Sequence, residues 1–194
     1  MLQPEQPALI LASSSPRRQE LLREAGIAFE VHPAHINEDQ HPGEPPLIYA
    51  CRLAREKAET VAQRYSHRSI LGADTIVVVE QEVLGKPSDP ADAARILRRL
   101  SGRSHNVTTA VCLILPNGDT ETQSCTTQVF FRPIAENEIQ QYVAGGEPMD
   151  KAGAYAIQGG AARWTDRIEG EYSNVVGLPL SLVIEMLRKN GFLK

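Results

Sequence analysis

The sequence predicts an α/β fold: a mixed sheet with helices packed on its faces. Three observations carry that prediction. A short apolar run at residues 8–12 leads through a helix to another at 27–31, a crossover of the kind that sets strands parallel. Two long strand-like runs flank Pro116-Asn117-Gly118-Asp119, a turn sequence that folds strands back antiparallel. Between these regions, Ala50, Leu53, Ala54, Ala58 and Val61 recur along one helical face, an apolar stripe suited to lie on a sheet.

Each element has its own local reason. After the first strand, Ser15 is placed to cap a helix, and Pro16 fits the first helical position, where no backbone N–H is required. That helix runs on through residues 19–25 and stops at Gly26. The second strand is followed by an acidic, proline-containing loop at 35–46 and a helix at 47–65. Residues 69–79 form the next strand, Gly85-Lys86-Pro87 a turn, and Pro90 or Ala91 opens a helix that ends near Leu100, with Gly102 just beyond. The hairpin strands span 105–115 and 120–131. A short helix at 135–144, a loop at 145–160, a strand at 164–168 and a last helix at 180–189 complete the chain. With no repeat, low-complexity tract or linker, residues 1–194 read as a single domain.

Composition narrows the class. Charged residues (23%) and apolar residues (42%) are near globular averages, and a net charge of −4 argues against a nucleic-acid partner. The three cysteines, Cys51, Cys112 and Cys125, have no metal-ligand spacing and fit small core residues in a reducing cytosol, although Cys112 and Cys125 flank the hairpin and could be neighbours. Residues 1–7 lack the basic and apolar regions of a signal peptide, and no apolar run approaches the ~18 residues of a membrane span. The expected location is the cytoplasm, with no membrane partner.

Three segments carry chemistry. Ser13-Ser14-Ser15-Pro16-Arg17-Arg18, between a strand and a helix, offers free N–H groups, the helix dipole and two forked guanidinium groups to an anion such as phosphate. A capped surface helix with two solvated arginines would look the same. Asp74 interrupts the nearly all-apolar run Ile70-Leu71-Gly72-Ala73-Asp74-Thr75-Ile76-Val77-Val78-Val79. A carboxylate in a central strand is costly to bury unless paired, hydrogen-bonded or bound to a metal, so Asp74 holds a divalent ion, takes a proton from water, or bonds to loop N–H groups. Glu38 offers a second carboxylate. Lys57, Lys86 and Lys151 stand where helices and turns can aim them into one cleft, and a triphosphate needs several such cations. In the third segment, 147–159, small residues admit a flat ligand, Tyr155 either packs within the fold or stacks on a base, and Gln158 offers a paired donor and acceptor.

Ser13-x-Ser15-Pro16-Arg17-Arg18, Gly72-Ala73-Asp74-Thr75, Gly85-Lys86-Pro87, Asp150-Lys151-Ala152-Gly153-Ala154-Tyr155-Ala156-Ile157-Gln158-Gly159 and Asn174-Val175-Val176-Gly177-Leu178-Pro179-Leu180 closely resemble the Maf family of nucleoside triphosphate pyrophosphatases. The resemblance covers the chain from about Leu9 to Leu187. It implies an inosine-triphosphatase-like fold: an elongated mixed sheet flanked by helices, with two lobes around a deep cleft. Asp-Lys-Ala-Gly-Ala-Tyr followed by Ile-Gln-Gly is similar to the branch acting on dTTP and UTP, whereas the branch acting on 7-methyl-GTP carries a Cys-Ala-Gly-type sequence there. By position, Asp74 matches the family's proton acceptor and Glu38 an acidic residue near the metal, Mg²⁺ or Mn²⁺. Ser13, Arg17, Arg18, Lys57 and Lys86 match the lining of the phosphate site, and Arg17, Thr75 and Gln158 the positions that choose the base. The implied partners are a nucleoside triphosphate and, at most, a second copy of the chain. Implied roles include arrest of cell division and exclusion of modified nucleotides, with a nucleotide-sensing regulator of septum formation or a nucleotidyltransferase as alternatives. Two departures stand out: Gly170-Glu171-Tyr172 where Gly-Ser-Tyr is common, and His35-Ile36-Asn37-Glu38 where Asp-Ile-Asp-Glu is frequent. Glu171 either alters substrate affinity or points to solvent, and the lost carboxylate at Asn37 bears on the role of Glu38.

Overall fold

A computed structural model describes residues 9–193; the reading of residues 1–7 and the Ala8 end of the first strand lie outside the described residues. Strand β1 (Leu9–Leu11) lies parallel to both β2 (Phe29–Val31) and β3 (Ile70–Val79). The remaining strands, β4 (Glu82–Leu84), β5 (Ser104–Ile114), β6 (Thr120–Phe131) and β7 (Thr165–Glu169), pair antiparallel. The order is β2-β1-β3-β5-β6-β7, with β4 added to β3, so the sheet is mixed, as the crossover and hairpin signals require.

Helices cover both faces. They are α1 (Pro16–Glu24), α2 (Pro46–Ala62), α3 (Pro90–Leu100), α4 (Glu136–Ala144), α5 (Tyr172–Val176) and α6 (Leu180–Lys189). Alternate strand residues face opposite ways, so β1 sends Ile10 into one apolar layer and Leu9 and Leu11 into the other. The first layer holds Ala50, Ala54, Ala58 and Val61 of α2, the stripe read from the sequence. Lys57 is buried on the same helical face. Gly72 explains how near that helix lies: a Cβ there would run into the Ala54 carbonyl and the Ala58 side chain. Because Gly72 and Asp74 share a face of β3, the close approach that needs glycine also brings Lys57 to Asp74.

Several expectations shift. Strand β4 follows a two-residue turn, Glu80 (φ 48°) and Gln81 (φ 72°), whose side chains lack the Asn-Gly signature of a left-handed hairpin turn. Helix α5 has five residues, too few for a periodic pattern. The 145–160 loop contains 3₁₀ turns at Glu147–Asp150 and Ala152–Ala154, and a third at Gly160–Trp164 displaces the following strand to Thr165–Glu169. The hairpin register sets Cys112 opposite Thr122 and Cys125 opposite Thr109, so these cysteines are not neighbours, and all three thiols are free.

Candidate active site

One cleft of about 910 Å³ is lined by Ser13, Arg17, Arg18, Glu38, Lys57, Asp74, Thr75, Lys86, Lys151 and Gln158. The β1–α1 corner supplies Ser13, Arg17 and Arg18; the loop before α2 supplies Glu38, and α2 itself Lys57. Asp74 and Thr75 come from β3, Lys86 from the turn after β4, and Lys151 and Gln158 from the 147–160 segment. The helix start behaves as its sequence implies: the Ser15 hydroxyl accepts from the Arg18 N–H at 3.5 Å, and Pro16 occupies the first turn.

The charged centre is a carboxylate pair joined by one ammonium. Lys57 Nζ donates to Asp74 Oδ1 at 2.6 Å and lies 2.7 Å from Glu38 Oε1, while Lys86 Nζ stands 3.7 Å from the other Glu38 oxygen. Asp74 and Lys57 are both buried, whereas the Glu38 side chain is 45% exposed. Burial pushes the Asp74 carboxyl above its ordinary pKa, against the opposing charges of Lys57 and Arg18. Partial burial also works to raise the pKa of Glu38, but the Lys57 bond and the charges of Lys57, Lys86 and Arg18 outweigh it and hold this carboxyl low. Two carboxylates with pKa values driven apart is how one site separates a proton acceptor from a permanent anion. Among the described residues, Asp74 Oδ2 accepts no hydrogen bond, so this oxygen is available to a water.

Arg17 and Arg18 divide their tasks. Arg18 spends its fork on the protein: Nε donates to the Gly177 carbonyl (2.8 Å), one terminal nitrogen to Ser13 Oγ and the Ala73 carbonyl (3.2 and 3.0 Å), the other to Thr75 Oγ1 (2.9 Å). The Arg17 side chain makes no hydrogen bond or ion pair among the described residues and lines the cleft. Lys151 turns toward its own loop, donating to the Glu147 carbonyl at 2.8 Å and to Asp150. Gln158 is exposed, with no hydrogen bond to its amide among the described residues. Tyr155 takes the packing role: its hydroxyl meets His105 Nε2 at 2.7 Å, and its ring stands edge-on to His105 and Phe131.

The departures resolve into local structure. Asn37 Oδ1 accepts from the Asp39 N–H at 2.9 Å and shapes the loop. Glu171 neither lines the cleft nor points to open solvent: it accepts from the Ser181 N–H at 2.9 Å and from the Ser173 hydroxyl, a carboxylate at the positive end of α6. Sequence reasoning missed the support behind Thr75. Thr75 Oγ1 contacts Thr109 Oγ1 at 2.9 Å, Thr109 donates to the Asn174 carbonyl, and buried Asn174 donates to the Val107 carbonyl and Thr127. Its signals were Thr109 and Thr127 on facing strands and Asn174 at the head of a motif quoted above.

The family model for Maf-like proteins matches residues 8–190. The chain belongs to the Maf family. Among Maf relatives, the dTTP/UTP pyrophosphatase of Koribacter versatilis is 55% identical over 186 residues, 95% of each chain. The dTTP/UTP pyrophosphatase of Geobacter sulfurreducens is 52% identical over 190 residues, covering 97% of this chain and 100% of that protein. The Staphylococcus aureus Ham1 protein shares the Maf chain's fold at 14% identity, with a TM-score of 0.52 over 94% of this chain and 99% of that one.

The same cleft can be tested for a metal. Among the described residues, no three His, Cys, Asp or Glu side chains gather into a cage. Two carboxylates on one cleft are instead the donor set of a Mg²⁺-type ion, whose shell is completed by water and substrate phosphates. Asp74 and Glu38 would serve that use through the oxygens Lys57 leaves free, Asp74 Oδ2 and Glu38 Oε2.

Proposed function

We propose that this chain is a nucleoside triphosphate pyrophosphatase that hydrolyses dTTP and UTP to the monophosphate and pyrophosphate. The observation that carries the reading is the Lys57-bridged pair Asp74 and Glu38 on a cleft that Ser13, Arg17 and Lys86 also line. The names of the relatives at about half identity support the same substrates. Asp74 accepts a proton from the attacking water, a role favoured by its place on the cleft and its unbonded Oδ2. The water oxygen bonds to the α-phosphorus, and the bond from that phosphorus to the bridging oxygen breaks, so the electron pair leaves with pyrophosphate. Lys86 and Arg17, the latter through its guanidinium and its backbone N–H in the first turn of α1, stabilise charge on the leaving group. Asp74 and Glu38 would hold Mg²⁺ or Mn²⁺, which when bound neutralises phosphate charge and lowers the pKa of water. Gln158 pairs its amide with O4 and N3–H of thymine or uracil. The three free thiols support a reducing compartment, the cytoplasm.

The test is a panel of nucleoside triphosphates with and without divalent ions. Pyrophosphate and monophosphate from dTTP and UTP, abolished by chelator, are the expected result. Orthophosphate as first product, or full activity in excess chelator, overturns the assigned bond or the metal. A requirement for a second nucleotide-accepting substrate would mark a transferase.

A further inference from the structure

The segment that carries Glu38 has no regular structure, and α2 holds it from both ends. Tyr49 donates its hydroxyl to the Glu38 carbonyl at 2.7 Å. One turn along, Arg52 donates to the Asp39 carbonyl at 3.0 Å and forks onto the Glu44 carboxylate at 2.7 and 2.8 Å. Glu44 then closes the loop on itself: its carboxylate accepts from the His41 N–H at 3.1 Å and its carbonyl from the Gln40 amide at 2.7 Å. Lys57, farther along the same helix, meets the Glu38 carboxylate. Isolated surface ion pairs contribute little, but this one is bidentate and largely covered, with the Glu44 side chain only 7% exposed and Arg52 18%. The Arg52 guanidinium also lies 5.5 Å from the centre of the Tyr49 ring. Neither Arg52 nor Glu44 lines the cleft, so what they contribute reaches it through the loop they hold, at Glu38 and Asp39, and through Tyr49.

We propose that Arg52 and Glu44, together with Tyr49, form a latch that fixes the Glu38 carboxylate at the cleft, and that Arg52 is a positioning residue for the metal-assisted reaction. The inference rests on the pyrophosphatase reading. Without the latch the loop before α2 regains backbone freedom, and Glu38 is held only by its contacts with Lys57 and Lys86. Groups that orient a metal's carboxylate ligand from behind typically change metal affinity or activity by about 10- to 100-fold when removed.

The test uses the full chain with Arg52→Lys, which keeps the charge and loses the fork, Glu44→Gln, and Tyr49→Phe, which deletes one hydroxyl. Two readouts are compared: hydrogen–deuterium exchange at residues 37–44, and the Mn²⁺ concentration for half-maximal pyrophosphate release from dTTP, with kcat and KM measured at saturating Mn²⁺. The expected result is faster exchange confined to that segment and a Mn²⁺ requirement raised about tenfold or more, with the KM for dTTP changed less. Wild-type exchange, or faster exchange with an unchanged Mn²⁺ requirement, overturns the latch. If Arg52→Lys does not fold, Glu44→Gln, at a residue that does not line the cleft, decides by the same readouts. A wild-type protein that releases no pyrophosphate from any nucleotide overturns the pyrophosphatase reading instead, and exchange at 37–44 then decides the latch alone.

Discussion

Lys57 Nζ lies 2.6 Å from Asp74 Oδ1 in the layer between α2 and β3, where both side chains are almost wholly withdrawn from solvent. Removing one partner of such a pair strands the other charge, at a cost of about 3–5 kcal/mol. Lys57→Met is therefore expected to lower the melting temperature and reduce turnover at least about 100-fold. Adding Asp74→Asn should restore part of the lost stability and none of the activity. Melting curves of the two single variants and the double variant check this; strictly additive destabilisation would separate the two residues energetically.

Asp74→Asn alone preserves size and removes the proposed proton acceptor. Turnover should fall by about 10²- to 10⁴-fold with the circular dichroism spectrum unchanged. A folded variant that keeps a tenth of the wild-type rate would make Asp74 a structural residue.

Gln158→Ala addresses the base. The side chain is exposed and unbonded among the described residues, so truncating it should leave stability unchanged. A hydrogen-bond mismatch in a closed complex is worth about 1–3 kcal/mol, which corresponds to a roughly tenfold or larger loss of selectivity. The measurement is kcat/KM for dTTP, UTP, CTP and GTP in both proteins. An unchanged ratio across the four would mean that Gln158 supports its loop without reading the base.

His105 gives a prediction about acid. Burial lowers its pKa from 6.5 to about 4, because the charged imidazolium is poorly accommodated beside Tyr155 and Phe131. The unfolded chain binds that proton more readily, so the stability contribution is complete above about pH 6.5 and is lost as the pH falls toward 4. Between pH 7.5 and 5.0 the unfolding free energy of the wild type should drop by about 2 kcal/mol more than that of His105→Phe. Denaturant titrations at the two pH values measure the difference, and equal drops would show that His105 is not the responsible group.

Much of this was legible in the sequence because single residues broke strong local patterns. Asp74 in an apolar strand and Ser15-Pro16 at a helix start each violate or complete a rule that depends on neighbours alone. The α2 stripe likewise gave the helix face that buries Lys57. What stayed hidden depends on distant pairings. The Arg18 fork, filled by Gly177, Ala73, Ser13 and Thr75, cannot be told from a free phosphate ligand without knowing where Gly177 goes. Glu171 as a cap on α6 is equally a matter of tertiary placement.

The nine-pair ladder between β3 and β5 has a consequence for how the chain finds its active form. Strand β3 is apolar on both faces, so hydrophobicity alone would tolerate a slip by one residue, which turns every side chain to the other side of the sheet. Such a slip would drive Asp74 toward the Thr109 side and leave the Lys57 ammonium without its acid. It would also move Gly72 out from under the Ala54 carbonyl and put a side chain in its place. The Asp74 carboxylate, its ammonium and the glycine beneath the helix thus discriminate against misthreaded chains, and a molecule that folds out of register forfeits stability and the charged centre of the cleft together.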